Sequence, residues 1–278
     1  MKKILLATTA LVATAGFAAA EITWTGSANV GMKYSDSGTT RLHNEIDLGA
    51  AATGETDGGI GWKVEMGLDT DNTDNNGGKS VDEGSVTLSG DFGSIRIGAV
   101  SSATTNVGLA DIGFDGIGID DVAEFGKNAG DSHDVEWHYS MDEIALTASF
   151  DTSDDDMAVS MGWSSGSLAI TVAHSAVGTA GGASATAGSI GTSVGGFAVK
   201  MMAASHSTAN YDSVGLSASM PVDGLGTVTF VTGSNDTDAK SAWGIGFSKA
   251  LGGGATLTGG YGSDNGNDVA DLGISLSF

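Results

Sequence analysis

Apolar and polar residues alternate along most of the chain with a period of two. The stretch 21–34, EITWTGSANVGMKY, shows this best, with Trp24 and Met32 on one phase and Thr23 and Ser27 on the other. Successive side chains of a strand point to opposite faces, so the pattern predicts a strand with one apolar and one polar face. Helical stripes with i, i+3, i+4 spacing are hard to find, and we therefore predict an all-β protein.

Read in this way, the sequence predicts sixteen strands, an even number. Their ranges are 21–34, 40–53, 58–69, 80–90, 92–100, 133–140, 142–151, 155–164, 166–175, 183–195, 196–205, 210–220, 225–233, 239–250, 253–263 and 268–278. The segment 183–195, ASATAGSIGTSVG, fits either a full strand or part of a longer loop. In the second case the number of strands would be odd.

The connections between the predicted strands alternate in length. Those after even-numbered strands are tight, such as Gly90-Asp91, whereas those after odd-numbered strands are mostly longer and polar, and one of them spans 101–132. A transmembrane barrel has this asymmetry. All five Trp share the apolar phase, and the polar phase carries Thr, Ser, Gly and Asn instead of the many Lys and Glu of a soluble β-sandwich.

In a membrane every backbone polar group must be paired inside the protein, which only a helix or a closed barrel achieves. No stretch of the mature chain reaches the roughly eighteen apolar residues of a spanning helix. We therefore predict a 16-stranded antiparallel transmembrane β-barrel whose last strand pairs with its first. That pairing would hold the chain end, DVADLGISLSF, and we expect its terminal Phe278 to serve closure and assembly of the barrel.

The first twenty residues, MKKILLATTALVATAGFAAA, predict a secretory signal peptide with two Lys, an apolar run and small residues before the cleavage point. Residues 21–278 are predicted to form a single barrel domain, because no Pro-rich or Ser-rich linker divides them. Without the two leader Lys, nine basic residues face 34 acidic ones. This balance repels nucleic acid and attracts cations. The chain has no Cys, so disulfides cannot stabilise it.

Two stretches resemble the general porins of alphaproteobacteria, particularly the Rhodobacter-type group. DEGSVTLSGDFGSIRIG, residues 82–98, is similar to the strand, tight turn and strand that lead into loop three, which is here the connection 101–132. ALGGGATLTGGYGSDNGNDVADLGISLSF, residues 250–278, is similar to the closing hairpin with its terminal Phe. Between them the likeness consists mainly of the alternation.

The resemblance implies an outer-membrane general diffusion porin of a Gram-negative bacterium. Such a protein is a homotrimer of sixteen-stranded barrels, surrounded by outer-membrane lipid and lipopolysaccharide. Each barrel is a water-filled channel for small hydrophilic solutes and ions, narrowed by loop three folding inward. The terminal strand resembles the signal read by the barrel-assembly machinery. On this interpretation the protein is not an enzyme and needs no cofactor.

Loop three is long for a connection without predicted structure, and such connections are usually functional. Its acidic residues are Asp111, Asp115, Asp120, Asp121 and Glu124, and only Lys127 opposes them. They form either a solvated external loop or one wall of a pore constriction, where charged rings favour cations. For the basic wall opposite, the polar phase of early strands offers Lys33, Arg41, Lys63 and Arg96. Relatives carry a denser arginine cluster there. Because this chain has fewer basic residues on that wall and a large excess of acidic residues overall, we expect it to prefer cations.

Three Asp-rich loops are candidates for structural calcium: 69–78, 151–156 and 234–238. The weak candidate ligands are Asp69, Asp71 and Asp74. None of the loops has the spacing of an EF-hand, and solvated loops explain them as well. A further local cluster consists of His133, Asp134, Glu136 and His138, for which an ordinary lumen lining is the simpler interpretation. The other three histidines, at 43, 174 and 206, have no partner that the sequence identifies.

Two other functions compete with the porin. One is a secreted or surface-attached calcium-binding structural or adhesive β protein, which the Asp-rich loops would suit. The other is a barrel enzyme with a Ser nucleophile, although no G-x-S-x-G motif is present. The terminal Phe, the Trp placement and the alternating loop lengths have no common cause in an adhesin, and they favour the porin.

Overall fold

The computed structural model describes residues 21–35, 38–71, 80–128, 133–178, 182–208, 211–237 and 241–278. Sixteen antiparallel strands form one closed barrel in which each strand pairs with its neighbours in sequence and β1 pairs with β16. The strands are β1 Glu21–Ser35, β2 Thr39–Glu55, β3 Gly61–Asp71, β4 Ser80–Gly90, β5 Gly93–Val100, β6 His133–Met141, β7 Ile144–Phe150, β8 Met157–Ser165, β9 Leu168–Ala176, β10 Ser184–Val194, β11 Phe197–His206, β12 Ser213–Val222, β13 Gly226–Asn235, β14 Ser241–Gly252, β15 Ala255–Asp264 and β16 Asn267–Ser277.

Of the described residues, Thr237 after β13 has 3₁₀ conformation, and the remaining helical structure lies in loop three. It consists of the 3₁₀ turns Ala103–Asn106 and Phe125–Lys127 and the single α-helical turn α1, Asp121–Glu124. Among the residues that the structure describes, no helix is both long enough and apolar enough to cross a membrane.

All sixteen predicted strands are present, and their ends lie within a few residues of the predicted ones. The doubtful segment 183–195 forms β10, Ser184–Val194, which pairs with β9 on one side and β11 on the other. The prediction of a closed 16-stranded antiparallel barrel is therefore confirmed.

The two faces of the barrel wall differ as the alternation predicts. The apolar phase lies on the outside, where Trp24 is 75% exposed and Leu42 is 76% exposed. On β14 the exposed Trp243 alternates with buried Ala242 and Gly244. A belt of large exposed apolar side chains is stable in contact with lipid and unstable in water.

Strands β1 and β16 close the barrel and hold both ends of the described chain. Their register runs from Ser27 opposite Ser277 to Ser35 opposite Val269. Gly26 and Phe278 extend this ladder with two backbone hydrogen bonds of 2.8 and 2.9 Å. The Phe278 ring is 70% exposed and lies over Gly26, where any Cβ would come within 2.2 Å of it. The predicted pairing of the last strand with the first is confirmed.

Short turns follow every even-numbered strand up to β14 and lie at the barrel end opposite loop three. At the loop-three end, the connection after β15, predicted to be longer, is also short, since only Asn265 and Gly266 separate β15 from β16. Two of the turns after even-numbered strands are glycine pairs, Gly195-Gly196 and Gly253-Gly254, whose φ angles of 60° to 87° are all positive. Two-residue hairpins of this kind need positive φ at both central residues to match the twist of the strands. The glycine pairs therefore permit the tight turns.

The buried apolar core lies inside the barrel, between loop three and the wall. Val107, Ile119 and Ala123 of loop three are fully buried. They pack in two clusters against inward side chains of β9 to β14, including Ala173, Met202, Val231 and Ala242. Because these contacts use the wall face opposite the exposed apolar belt, loop three folds into the barrel.

Candidate functional site

Loop three is hydrogen-bonded to the inner wall both near its start and in α1. Near its start, the N–H group of Ala103 donates to Ser149 Oγ at 2.7 Å. In α1, the carbonyl of Ala123 accepts from the Ser213 hydroxyl at 2.5 Å. These contacts attach the loop to β7 and β12, so it crosses the interior of the barrel.

The middle of loop three is attached to the seam between β1 and β16. The N–H groups of Phe114 and Asp115 donate to Asp271 Oδ2 at 2.9 and 3.3 Å. The Phe114 ring fills a gap above Gly31 and Gly273, which lie opposite each other across the seam. A Cβ at either glycine would come within 3 Å of the ring, so only glycine admits Phe114 at this position.

A mixed cluster of charges surrounds this attachment. Asp115 forms an ion pair with Lys33 of β1. His43 of β2 is only 3% exposed, and its Nε2 lies 3.6 Å from Asp115 Oδ2 and 3.8 Å from Glu45 Oε2. The Phe114 ring meets the imidazole edge to face at 5.5 Å between centroids. Loop three and the wall of β1 and β2 therefore join through both apolar and charged contacts.

The acidic residues of loop three fall into two groups. Glu124 is paired with Lys127, and Asp115 is paired on the wall as described above. Within the described part of the chain, no Lys or Arg forms an ion pair with the carboxylates of Asp111, Asp120 or Asp121. These three therefore form a patch of negative charge without a cationic partner.

Burial and mutual repulsion raise the pKa values in this patch. Desolvation, followed by the charge of Asp111, raises the pKa of Asp120 to about 7. Burial also raises the pKa of Asp111, with a further contribution from the charge of Asp121. Both shifts favour the neutral form, because charged carboxylates that are partly buried and close together repel one another and lose hydration.

The four predicted basic residues form two pairs rather than one cluster. Lys33 and Arg41 lie opposite each other on β1 and β2. Lys63 of β3 and Arg96 of β5 both lie opposite Thr87 of the intervening strand, so they are two strands apart. Neighbouring strands are about 4.8 Å apart, which places the second pair roughly 10 Å apart at the backbone.

The second basic pair also has acidic neighbours. Lys63 forms an ion pair with Glu65 at 2.5 Å. Arg96 lies opposite Glu136 in the ladder, and its Nε donates to Ser85 Oγ at 3.0 Å. The role of the four residues as a constriction wall stays a prediction, and their acidic neighbours weaken the field that they would produce.

A family model described as Gram-negative porin matches residues 7–269. The chain belongs to this family. Gram-negative porins are channel proteins, and family and barrel together place this porin in the outer membrane. No curated protein matches the chain significantly.

Solved structures agree with the fold of the porin. A triple mutant of Rhodopseudomonas blastica porin superposes with a TM-score of 0.76 at 17% identity, over 93% of this chain and 100% of that one. A structure titled "Asymmetric conductivity of engineered proteins" gives the same TM-score and coverage at 19% identity. At these identities the likeness shows that the sixteen-stranded fold is shared.

The calcium candidates of the porin are only partly described. The carboxylate of Asp69 lies within 4.8 Å of ligand atoms of Glu45 and Asp47. The side chain of Asp71 and the whole of Asp74 lie outside the described residues. A structural calcium ion therefore stays a prediction.

The loop 151–156 uses some of its carboxylate oxygens for its own turn. Asp151 accepts from the N–H groups of Ser153 and Asp154 at 2.7 and 3.2 Å and from the Ser153 hydroxyl at 2.6 Å. The bonds from Ser153 lower the pKa of Asp151. In the loop 234–238, Asp238 lies outside the described residues.

The predicted cluster around β6 does not converge on one point. His133 Nδ1 lies 2.6 Å from Ser149 Oγ, and His138 Nε2 lies 3.0 Å from Ser140 Oγ. Asp134 accepts from Thr152. Two groups of three ligand atoms come together in the described part of the porin, and neither includes these residues. This agrees with a polar lumen lining.

Two residues at the site were not identified from the sequence. His43 was assigned no partner, yet it contacts the loop-three carboxylate of Asp115, 72 positions further along the chain. Asp271 is an acidic residue among the small residues on the inward face of β16, directly opposite Lys33. A lone inward carboxylate opposite a lysine is the signal that could have indicated an anchor.

Proposed function

We propose that this porin lets small hydrophilic solutes and ions diffuse through its barrel, favours cations over anions, and catalyses no reaction. Loop three would form one wall of the constriction, and Asp111, Asp120 and Asp121 would set the sign of the selectivity. The observation that carries the proposal is that these three carboxylates have no cationic partner among the described residues.

The distribution of positive charge supports cation preference. Lys33, Lys63 and Lys127 are each paired with a carboxylate, so their charges are largely balanced locally. An unbalanced acidic patch raises the local concentration of cations and repels anions. The opposing wall would consist of Lys33, Arg41, Lys63 and Arg96, with a weak transverse field.

Reversal potentials in planar bilayers under a potassium chloride gradient test this proposal. We expect cation preference in the wild type and a clear loss of it when Asp111, Asp120 and Asp121 are all changed to Asn. The matched control changes three exposed Asp of the short turns, Asp57, Asp91 and Asp223, to Asn. It removes the same charge far from loop three and should leave the reversal potential nearly unchanged.

Two outcomes would contradict the assignment. Anion preference of the wild type would refute cation selectivity. Equal effects of the two triple variants would show that the net charge of the protein, and not the loop-three patch, sets the selectivity.

We also propose that the mature porin, after removal of residues 1–20, assembles as a homotrimer in lipid and lipopolysaccharide. The barrel-assembly machinery would read the last strand with its terminal Phe278. The exposed ring and the two backbone bonds to Gly26 support a role in closure. On gels, unheated detergent extract should show a large species that boiling converts to a monomer.

Deletion of Phe278 should lower the amount of this heat-modifiable species several-fold in cells. Pores formed by the fraction that assembles should keep the wild-type conductance, because Phe278 lies at the barrel end away from loop three. Conversion of Phe278 to Tyr, which keeps an aromatic terminus, is the control. Normal trimer levels after the deletion would refute the role in assembly.

A further inference from the structure

Three potential metal ligands from two separate segments converge beside the attachment of loop three. They are His43 and Glu45 of β2 and Asp115 of loop three, and their ligand atoms all lie within 4.8 Å of one another. Two come from the barrel wall and one from the loop, so an ion at this point would join the loop to the wall.

The distances are close to those of a metal centre. With bonds of about 2.0–2.2 Å, neighbouring ligands of a tetrahedral Zn²⁺ ion are roughly 3.4 Å apart. His43 Nε2 lies 3.6 Å from Asp115 Oδ2 and 3.8 Å from Glu45 Oε2. The Glu45 and Asp115 oxygens lie within 4.8 Å of each other, so side-chain shifts of about an ångström or less would bring the three atoms to bonding positions.

The surroundings of the ligands favour a fixed geometry. His43 is almost fully buried, and the Phe114 ring packs against its imidazole. Asn29 Nδ2 donates to Glu45 Oε2 at 2.9 Å. Outer hydrogen bonds of this kind orient metal-bound carboxylates and raise metal affinity.

The types of ligand indicate which ion would bind. Imidazole suits Zn²⁺, Cu²⁺ and Ni²⁺, whereas Ca²⁺ and Mg²⁺ take oxygen ligands. One imidazole nitrogen and two carboxylate oxygens leave room for a water molecule as the fourth ligand of Zn²⁺. We propose that His43, Glu45 and Asp115 form a binding site for a divalent transition metal ion, with Zn²⁺ as its representative, inside the barrel.

The ion would compete with Lys33, which pairs with the same oxygen of Asp115. Binding would release the Lys33 ammonium group and add two positive charges beside loop three. Lys33 is charged in both states, so the ion alone makes the interior more positive, by two charges. Zn²⁺ binding should therefore reduce cation current through the pore and fasten loop three to β2.

Calorimetric titration of the chelator-treated, detergent-purified protein with Zn²⁺ tests the site directly. We expect one ion per chain. The variants His43→Gln and Glu45→Gln should each weaken binding by at least about tenfold, since loss of an outer-shell partner already costs roughly 10–100-fold. His138→Gln is the matched control, because this lumen histidine has hydroxyl neighbours and belongs to none of the ligand groups found among the described residues.

Zinc X-ray absorption on the loaded protein supplies a second readout. It should show one imidazole nitrogen in the wild type and in His138→Gln, with bonds of about 2.0–2.2 Å. Far-UV circular dichroism and heat modifiability on gels verify that every variant is folded. If one substituted chain fails to fold, the other variant still decides the question.

The proposal is overturned if the wild type binds no Zn²⁺, or if His43→Gln and Glu45→Gln bind it as tightly as His138→Gln does. Calorimetry and absorption require no pore activity, so their results do not depend on the cation selectivity proposed above. In bilayers, Zn²⁺ should lower the conductance of the wild type reversibly and leave His43→Gln unaffected.

Discussion

The two halves of the inner wall differ in the size and charge of their side chains. Under loop three, on β12 to β16, many inward positions are glycine, and a Cβ there would press on loop-three atoms. These positions are Gly215, Gly233, Gly244, Gly246, Gly260, Gly262 and Gly273. On β1 to β6, apart from Gly31 beneath Phe114, many inward positions carry charges, namely Lys33, Arg41, Glu45, Asp47, Lys63, Glu65, Asp69, Arg96, Asp134 and Glu136.

The difference shows how one barrel can hold both a core and a water-filled space. Apolar side chains of loop three need a close-packed surface, and glycine brings the wall backbone near enough to provide it. Charged side chains need water, and apart from those of β1 and β2 beside Asp115 they line the half of the wall away from the apolar clusters of loop three. The chain contains 45 glycines, and some of them let loop three pack closely against the wall while others permit the tight turns.

The largest effect is expected when a larger side chain replaces one of the inward glycines of β12 to β16. In Gly244→Val, the new side chain would meet Ile112 and Ile119, because a Cβ alone comes within 2.7 and 3.0 Å of them. Overpacking of this kind destabilises the folded protein by about 1–3 kcal/mol and should displace loop three from the inner wall. Single-channel conductance should rise clearly, and the loop should become sensitive to protease.

Gly162→Val is the matched control for this change. Gly162 also faces inward, on β8, but the atom nearest to a Cβ there is 3.8 Å away. Its conductance should stay close to that of the wild type. Equal effects of the two substitutions would show that loop three does not depend on the inward glycines of β12 to β16 for its packing.

The strands were predictable because the information for them is local. Lipid on one side and small or polar contacts on the other impose a period of two, which is visible within each segment of ten residues. Even β10, with its small residues, follows this rule, and pairing with β9 and β11 resolved the doubt about it.

The positions at which loop three contacts the inner wall were not predictable from the same pattern. Gly31 and Gly273 look like ordinary small inward residues, and nothing near them in sequence shows that Phe114 fills the space above them. Lys33 and Asp115 are 82 positions apart, so their ion pair depends on how the whole barrel closes. The acidic residues of the loop were identified by composition, but their division into paired and unpaired groups depends on three-dimensional contacts.

A smaller effect should follow from pH, since the pKa of Asp120 is raised to about 7. Lowering the pH from 8 to 6 protonates this carboxyl and removes one of three unpaired charges, so cation preference should fall. The same protonation stabilises the docked loop: the folded pKa lies above the ordinary value of 3.8, and the stability penalty of the charged form grows as pH rises through that range.

Reversal potentials of the wild type and Asp120→Asn at pH 8 and pH 6 measure this effect. The variant should show at both values the lower preference that the wild type reaches at pH 6. A wild type that is insensitive to pH over this interval would mean that Asp120 does not titrate between pH 6 and pH 8.

The smallest effect is expected in the charged half. Lys63→Gln leaves Glu65 without its ion-pair partner and should raise cation preference only slightly, because partly exposed pairs contribute little. Lys249→Gln, at the far end of β14, removes the same charge where its Nζ donates to the Gly224 carbonyl, and it serves as the control. The size of the Lys63 effect separates two views of this wall. A shift as large as that of the triple Asp variant would mean that the basic residues produce a strong transverse field despite their acidic neighbours. A shift no larger than that of Lys249→Gln would mean that loop three alone sets the selectivity.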